Sequence, residues 1–407
     1  MTTSTTEQVI EWLRTALSYN GVLDAQSLMD EAMRNTGLSD FGPPYFHEGL
    51  RRLIASFETE ARMNAKGRGI AHALLLRHLE NRLLVTRDWK LHPEIGNEKI
   101  VRPIFMVGLP RTGSTILHDL FAQDPDNRAP MTWECHRPSP PTERATFPTD
   151  PRIAECDAWI ATTSGRLVPE YKAIHSMGAQ LAQECVMLQG YDFMSIIYAN
   201  QFRVPSYEAW VEETDLHSVY ATHKRQLQYM QWHCPGERWV LKSVGHLWGL
   251  DCLFETYPDA RFVLTHRDPI KFLASHASLV AAGRRMTTDD IDPHEIGRDW
   301  SKSWESALRK GMAFRASGKV DPKQFFDVHF VEFLKDPIAM VGRVYDHFGL
   351  RLSAEAERRM RAFLADNPQG KHGQHRYTID QFGLDPAEVR ERFRFYTEHY
   401  NVQSEKA

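Results

Sequence analysis

The sequence has no apolar run near the ~18 residues that a membrane-spanning helix needs, so stable insertion in a bilayer is not expected. Its opening, Met1-Thr-Thr-Ser-Thr-Thr-Glu7, lacks the basic and apolar regions of a secretory leader, and a cytoplasmic protein is expected. Cysteine is scarce and odd in number: Cys135, Cys156, Cys185, Cys234 and Cys252 include no C-x-x-C pair, which fits free thiols in a reducing compartment better than a disulfide framework. Charge of one sign is also missing. With 49 Lys plus Arg against 53 Asp plus Glu the net charge is −4, so bulk charge advertises neither nucleic acid nor an anionic membrane as a partner, and any anion site must be local. No repeat of fixed period occurs, and 24 Gly with 22 Pro argue against a low-complexity chain.

What is present is an ordinary globular composition, 42% hydrophobic and 25% charged over 407 residues, enough for one large domain with an appendage or for two to three small ones. Residues 7–84 place apolar side chains at helical spacing, as in Val9, Ile10, Leu13 and Leu17 and again in Leu74, Leu75, Leu79 and Leu83. Breaks are expected at Asn20-Gly21, across residues 37–44 and at Lys66-Gly67. From Pro103 the character changes. The apolar run at 104–107, a Gly-containing turn and a helical pattern over 114–122 read as strand, loop, helix; similar runs recur at 239–241, 261–265 and 325–330. Buried parallel strands separated by helices fit this spacing. The fold expected is α/β: a three-layer, P-loop-like parallel sheet flanked by helices, with an α-helical N-terminal region over 1–100 and an α/β domain over 101–400. Residues 151–235 read as a mainly helical insertion rich in Met, Tyr and Trp over the sheet edge. A homo-oligomer is compatible with this composition.

The segment Gly108-Leu-Pro-Arg111-Thr112-Gly113-Ser114-Thr115 has the G-x-x-x-x-G spacing of a phosphate-cradling loop, after a strand and before a helix as that motif requires. Backbone N–H groups and the positive end of the helix suit a phosphate, and the two hydroxyls add donors. The ATP and GTP version needs Lys directly after the second Gly. Here Ser114 stands in that place and the cation, Arg111, lies inside the loop, which disfavours ordinary NTP chemistry. A purely structural strand-to-helix turn is the bland alternative.

A second anion signature follows the run at 261–265, in His266-Arg267-Asp268-Pro269. Asp268 is placed to cap a helix and Pro269 to open it. Ser275, eight residues beyond Arg267 and about two helical turns in, could share one phosphate with the Arg267 side chain. His-Arg-Asp also occurs in protein kinases, but the Asn expected five residues after the Asp is Leu273 and no Asp-Phe-Gly follows, so that reading is rejected.

The pairing of residues 110–115 after one strand with Arg267 and Ser275 after a later one resembles the sulfotransferases that use PAPS, 3′-phosphoadenosine 5′-phosphosulfate. The likeness extends to Phe333-Leu-Lys-Asp-Pro337 with the helix expected to end at Phe348-Gly349, and to Lys371-His372-Gly373, similar to a late basic clamp. Trp89, His92-Pro93-Glu94 and Leu241-Lys242-Ser243 with His246 resemble the large bacterial branch, although Val244 stands where that branch usually has Pro. The resemblance implies that Arg111, Thr112, Gly113, Ser114 and Thr115 hold the 5′-phosphosulfate. It assigns the 3′-phosphate to Arg267 and Ser275, with Lys371 assisting. Chemically this is consistent, since PAPS needs two separated anion sites and no metal-bridged triphosphate.

Sulfuryl transfer also needs a base for the acceptor's proton and a cation at the leaving bridge. Glu134, in Trp133-Glu134-Cys135-His136, resembles the catalytic Glu of tyrosylprotein sulfotransferases; His246 resembles the His of the cytosolic Lys-Thr-His element with two residues inserted. Glu134 ranks slightly ahead, and both remain candidates. Lys242 is the candidate for the leaving bridge and Arg111 contributes to the same chemistry. No His or Cys cluster has zinc-ligand spacing, and no metal is expected. The residues Met177, Met187, Tyr191, Phe193, Met194, Tyr198, Phe202, Trp210, Tyr229 and Trp232 read as core more readily than as pocket; any that line a pocket imply an apolar alcohol or phenol as the small-molecule acceptor. Two alternatives stay open, a nucleotide or small-molecule kinase on a P-loop core and a nucleotide-binding protein without catalysis.

Overall fold

The apolar run at 104–107 forms β1 (Ile104–Gly108), buried at every position, as befits a strand covered on both faces. A computed structural model of the chain describes residues 18–163, 177–368 and 377–405. Lys371, His372 and His375 of the late basic segment, together with residues 7–17, lie outside the described residues.

β1 is the centre of a five-stranded sheet that also contains β2 (Asn127–Arg128), β3 (Arg238–Lys242), β4 (Arg261–His266) and β5 (Phe325–His329). The order is β2-β3-β1-β4-β5 and every pairing is parallel. The α/β fold, the parallel sheet and its flanking helices are those expected from the strand-loop-helix pattern. Register sets Phe105 beside Phe262 and Phe262 beside Phe325, and their rings form a cross-strand row with centroids 6.2 and 4.9 Å apart. β2 has no counterpart in the sequence reading, because a two-residue strand has no apolar run to announce it. The final strand is also shorter than the 325–330 run, since Phe330 opens the helix Phe330–Lys335.

The chain divides into two compact units. One, the sheet unit, comprises residues 100–129, 236–281 and 292–407; the other, the helical unit, comprises 1–99, 130–235 and 282–291. In the helical unit the helices Ala25–Thr36, Phe46–Thr59 and Ala65–Leu91 carry the N-terminal apolar pattern. One expected break is misplaced. Lys66-Gly67 lies within the first turn of Ala65–Leu91, where Asn64 Oδ1 accepts from the Gly67 N–H at 2.8 Å and caps the helix. Gly67 is there for close approach: a Cβ on it would stand 1.9 Å from the Thr287 carbonyl oxygen. Among the described residues no helix is long and apolar enough to cross a membrane. The five cysteines are free and buried.

Candidate functional site

Parallel strands deliver their following loops to one edge of the sheet, and β3, β1 and β4 are adjacent. Ligands of open α/β sheets bind at that carboxyl edge. The three loops supply Lys242, then residues 108–115, then Arg267 and Asp268.

The loop after β1 is tightly specified. Gly108 has φ +127° and a Cβ on it would come within 2.7 Å of the Thr265 carbonyl oxygen, so only glycine fits. Gly113, at φ +83°, precedes the helix Ser114–Ala122. Arg111 adopts φ +61°, a left-handed conformation that a residue with a Cβ seldom takes and that concentrates at functional sites. Thr112 is fully buried: its hydroxyl donates to the Leu109 carbonyl at 2.7 Å and lies 2.6 Å from Thr265 Oγ1, tying the loop to β4. Ser114 is also buried, at the first turn of the helix. Lys242, buried at the end of β3, donates to Thr115 Oγ1 at 3.4 Å.

The two anion signatures meet. Arg111 Nε donates to Ser275 Oγ at 3.0 Å, and Arg267 Nη1 donates to the Arg111 carbonyl at 2.7 Å. Arg267 also lies over the Phe330 ring, 4.0 Å from its centroid. Asp268 caps the helix Pro269–Arg284 as expected, accepting from the Ile270 N–H at 3.0 Å. Beneath this loop, Tyr396 Oη accepts from the Arg267 N–H at 3.2 Å, and His266 Nε2 pairs with Asp327 at 2.9 Å. Arg315 grips the same carboxylate through two 2.7 Å bonds. Burial alone would push the Asp327 carboxyl up, but the bonds from His266 and Arg315 hold it well below the usual carboxylate range.

The Arg267 guanidinium has a further occupant. Glu405, beyond the helix Arg394–Tyr400, accepts from Arg267 Nε at 2.8 Å and from Nη2 at 3.0 Å. Nothing in the sequence near residue 405 signals this; nor does it signal Thr265 and Phe330, brought in by the pairing of β1, β4 and β5, or Tyr396, which reaches the loop from the helix Arg394–Tyr400.

His246 lies in the sheet unit, on the 3-10 turn Val244–Gly249 that Ser243 caps. It is fully buried, edge-on to Phe105 at 5.2 Å. Glu134 belongs to the helical unit, on the short helix Thr132–His136, and is fully buried too. Its Oε2 accepts from the Met131 N–H at 3.1 Å and its Oε1 from the Thr142 hydroxyl at 2.8 Å. The carbonyls after it are held as well. Tyr191 Oη donates to the Cys135 carbonyl at 3.0 Å and Asn81 Nδ2 to the His136 carbonyl at 3.1 Å. Burial, followed by the charge of Arg77, keeps His136 well below the ordinary imidazole range.

The aromatic-rich segment divides between core and pocket. Phe193, Tyr198 and Phe202 are fully buried. Tyr191 and Tyr229, with Pro43, Arg82, Trp89 and Met230, line a largely apolar pocket of about 560 Å³, counting its open mouth.

Residues 103–354 match the model of the Sulfotransferase family, more than half of the chain. The omega-hydroxy-beta-dihydromenaquinone-9 sulfotransferase Stf3 of Mycobacterium tuberculosis is 25% identical over 296 residues, covering 69% of this chain and 71% of that protein. Among solved structures, sulfotransferase STF1 from Mycobacterium tuberculosis superposes with a TM-score of 0.82 at 34% identity, covering 91% of this chain and 98% of that one. Sulfotransferase STF9 from Mycobacterium avium superposes with a TM-score of 0.84 at 27% identity, covering 96% and 100%. With the phosphate-type loop and the Arg267 loop joined on one sheet edge, these likenesses establish that the chain is a sulfotransferase enzyme and belongs to the sulfotransferase family.

Proposed function

We propose that the protein moves a sulfuryl group from PAPS to a hydroxyl of a small apolar acceptor, in line and without a metal. The observation that carries the donor assignment is the junction at Arg111. Its side chain reaches Ser275 while its carbonyl receives Arg267, so one residue joins two anion cradles. The carboxylate of Glu405 on Arg267 supports the fit, because the guanidinium fork there already receives an anion.

In this reading PAPS, when bound, supplies the sulfuryl group on a phosphate leaving group. The N–H groups of 111–115 and the hydroxyls of Ser114 and Thr115 hold the 5′ side, with Thr112 fastening the loop to β4. Arg267 and the Ser275 hydroxyl hold the 3′-phosphate, a role in which Lys371 assists. Lys242, beside Thr115, offers its ammonium to the charge that develops on the leaving oxygen. Glu134 receives the acceptor's proton, with His246 the alternative base. Glu134 is favoured because it is the carboxylate with a dedicated scaffold, and because His246 packs against Phe105 of the sheet core.

The pocket of the helical unit supports an apolar acceptor, and the relative named for omega-hydroxy-beta-dihydromenaquinone-9 supports a hydroxylated lipid or quinone-like one. The decisive measurement is thermal stabilisation by nucleotides. 3′-Phosphoadenosine 5′-phosphate should raise Tm far more than ATP or 5′-AMP, since it alone addresses both cradles. Equal shifts with 5′-AMP would refute the two-cradle assignment. Transfer to an alcohol panel should survive EDTA, because cationic side chains and the helix dipole take the place of a metal. Loss with chelator and rescue by Mg²⁺ would return the reaction to a metal-assisted class.

A further inference from the structure

We propose that Glu405 is a built-in competitor for the 3′-phosphate cradle: the tail that carries it docks on Arg267 in the nucleotide-free enzyme and is displaced when the donor binds. The inference rests on the assignment of Arg267 to the 3′-phosphate.

The geometry is that of a ligand mimic. Both Glu405 oxygens meet the guanidinium, on Nε at 2.8 Å and on Nη2 at 3.0 Å, the parallel two-bond arrangement by which Arg recognises carboxylates and phosphates. The remaining arm, Nη1, is spent on the Arg111 carbonyl. The fork that faces outward is therefore the one Glu405 fills. The Glu405 N–H donates to Asp268 Oδ2 at 2.8 Å, while Oδ1 of the same residue caps the following helix. Tail and cradle thus share Asp268 as a fixed point.

The contact is strong enough to matter and weak enough to yield. Both side chains are 17% exposed, so the pair is shielded from salt better than a surface bridge. A single carboxylate brings one charge and two acceptor oxygens. A 3′-phosphate brings nearly two charges and three oxygens, and the displaced carboxylate regains full hydration. The helix Arg394–Tyr400 ends at Asn401, whose φ of +52° turns the chain, and Ser404 is exposed. Swinging residues 403–405 away, beyond the Val402 N–H that donates to the Thr397 carbonyl at 2.9 Å, breaks the ion pair and the Asp268 bond without disturbing Tyr396, which supports the Arg267 backbone from the preceding helix.

Displacement has two consequences. Donor affinity is lower than the bare cradle would give, and the returning carboxylate helps expel the desulfated nucleotide after transfer. The test compares wild type with Glu405→Gln and Glu405→Ala by calorimetry, using 3′-phosphoadenosine 5′-phosphate and 5′-AMP. Both variants should bind the bisphosphate at least fivefold more tightly and 5′-AMP unchanged, and its dissociation should slow in stopped flow. In a second arm Ser404→Cys is labelled with an environment-sensitive fluorophore, which is selective because the five native cysteines are buried. The label should respond to the bisphosphate and stay silent with 5′-AMP. Preferential binding of the bisphosphate that neither variant tightens, or a silent label at saturation, would overturn the displacement while leaving the donor assignment standing. Equal affinity of wild type and both variants for the two nucleotides would overturn both.

Discussion

Two regions of the molecule hold their functional groups in opposite ways. At the sheet edge the groups follow directly from strand ends: Lys242 closes β3, the loop 108–115 leaves β1, and Arg267 leaves β4. In the loop after β1, backbone turns that glycine, or a strained Arg111, adopts fix the direction of the chain. Around Glu134 the fixing is done by side chains from remote segments, Thr142 on the carboxylate, Asn81 and Tyr191 on the carbonyls that follow. The first arrangement is written into short contiguous motifs, whereas the second exists only once the helices pack. In the proposed reading, donor binding falls to the first arrangement and proton removal to the second.

The largest test of the comparison is Glu134→Gln. The amide keeps the shape, its oxygen can accept from Met131 N–H, and the Thr142 hydroxyl can turn to accept from its NH₂. Only proton acceptance is lost, so kcat should fall ~10²-fold or more with nucleotide Kd unchanged. His246→Asn should cost less. Near-normal turnover by Glu134→Gln beside an inactive His246→Asn enzyme would move the base to the sheet unit.

Arg267→Ala tests the other side. Losing a charge-assisted pair costs about 1.5–3 kcal/mol, roughly a ten- to hundredfold rise in Kd for 3′-phosphoadenosine 5′-phosphate. Binding of 5′-AMP should be nearly unaffected. A proportional loss for both nucleotides would place Arg267 outside the 3′-phosphate cradle.

How much was legible in the sequence follows the same line. The four longer strands, the loop 108–115 and the Asp268 cap could be read from contiguous residues, because apolar runs and turn chemistry are local signals. The joining of Arg111 to Ser275 and Arg267 could be anticipated only from the parallel pairing of β1 with β4. Glu405 could not, since a lone carboxylate near a chain end carries no periodicity. Lys66-Gly67 misled because glycine usually punctuates, whereas here it permits the Thr287 backbone to touch the helix. Thr142 escaped notice, and Tyr191 was read only as a core or pocket aromatic, because a hydrogen bond across 8 or 56 residues leaves no pattern in either partner's neighbourhood.

Acid should test the packing of the helical unit through stability. In the helical unit burial holds His78 and His223 down to about 3 from 6.5, and His136 is lowered as well, so all three are neutral when folded. In the unfolded chain they protonate as pH falls through the ordinary imidazole range. The unfolded state then binds more protons, and stability present above pH ~6.5 is lost below it, at about 1.4 kcal/mol per pH unit for each such residue. Denaturant titrations at pH 7.5, 6.5 and 5.5 should show the midpoint falling slightly over the first interval and about threefold more over the second. His78→Gln should flatten that fall. A midpoint independent of pH across this range would refute neutral burial of these rings.

The smallest expected effect is the sharpest for the packed arrangement. Tyr191 Oη donates to the Cys135 carbonyl and accepts from Asn81 Nδ2 at 3.2 Å, and burial pushes its phenol up, so it remains a donor throughout the working range. Its ring also lines the pocket. Tyr191→Phe keeps that ring and deletes both buried hydrogen bonds, a loss of about 1–3 kcal/mol. If these bonds merely contribute to the core, Tm should drop while kcat and its pH profile stay fixed. If they position the Glu134 helix, kcat should fall severalfold with unchanged nucleotide Kd, and the acidic limb of the kcat profile should shift. An unchanged acidic limb beside a lowered Tm would assign Tyr191 to the core alone.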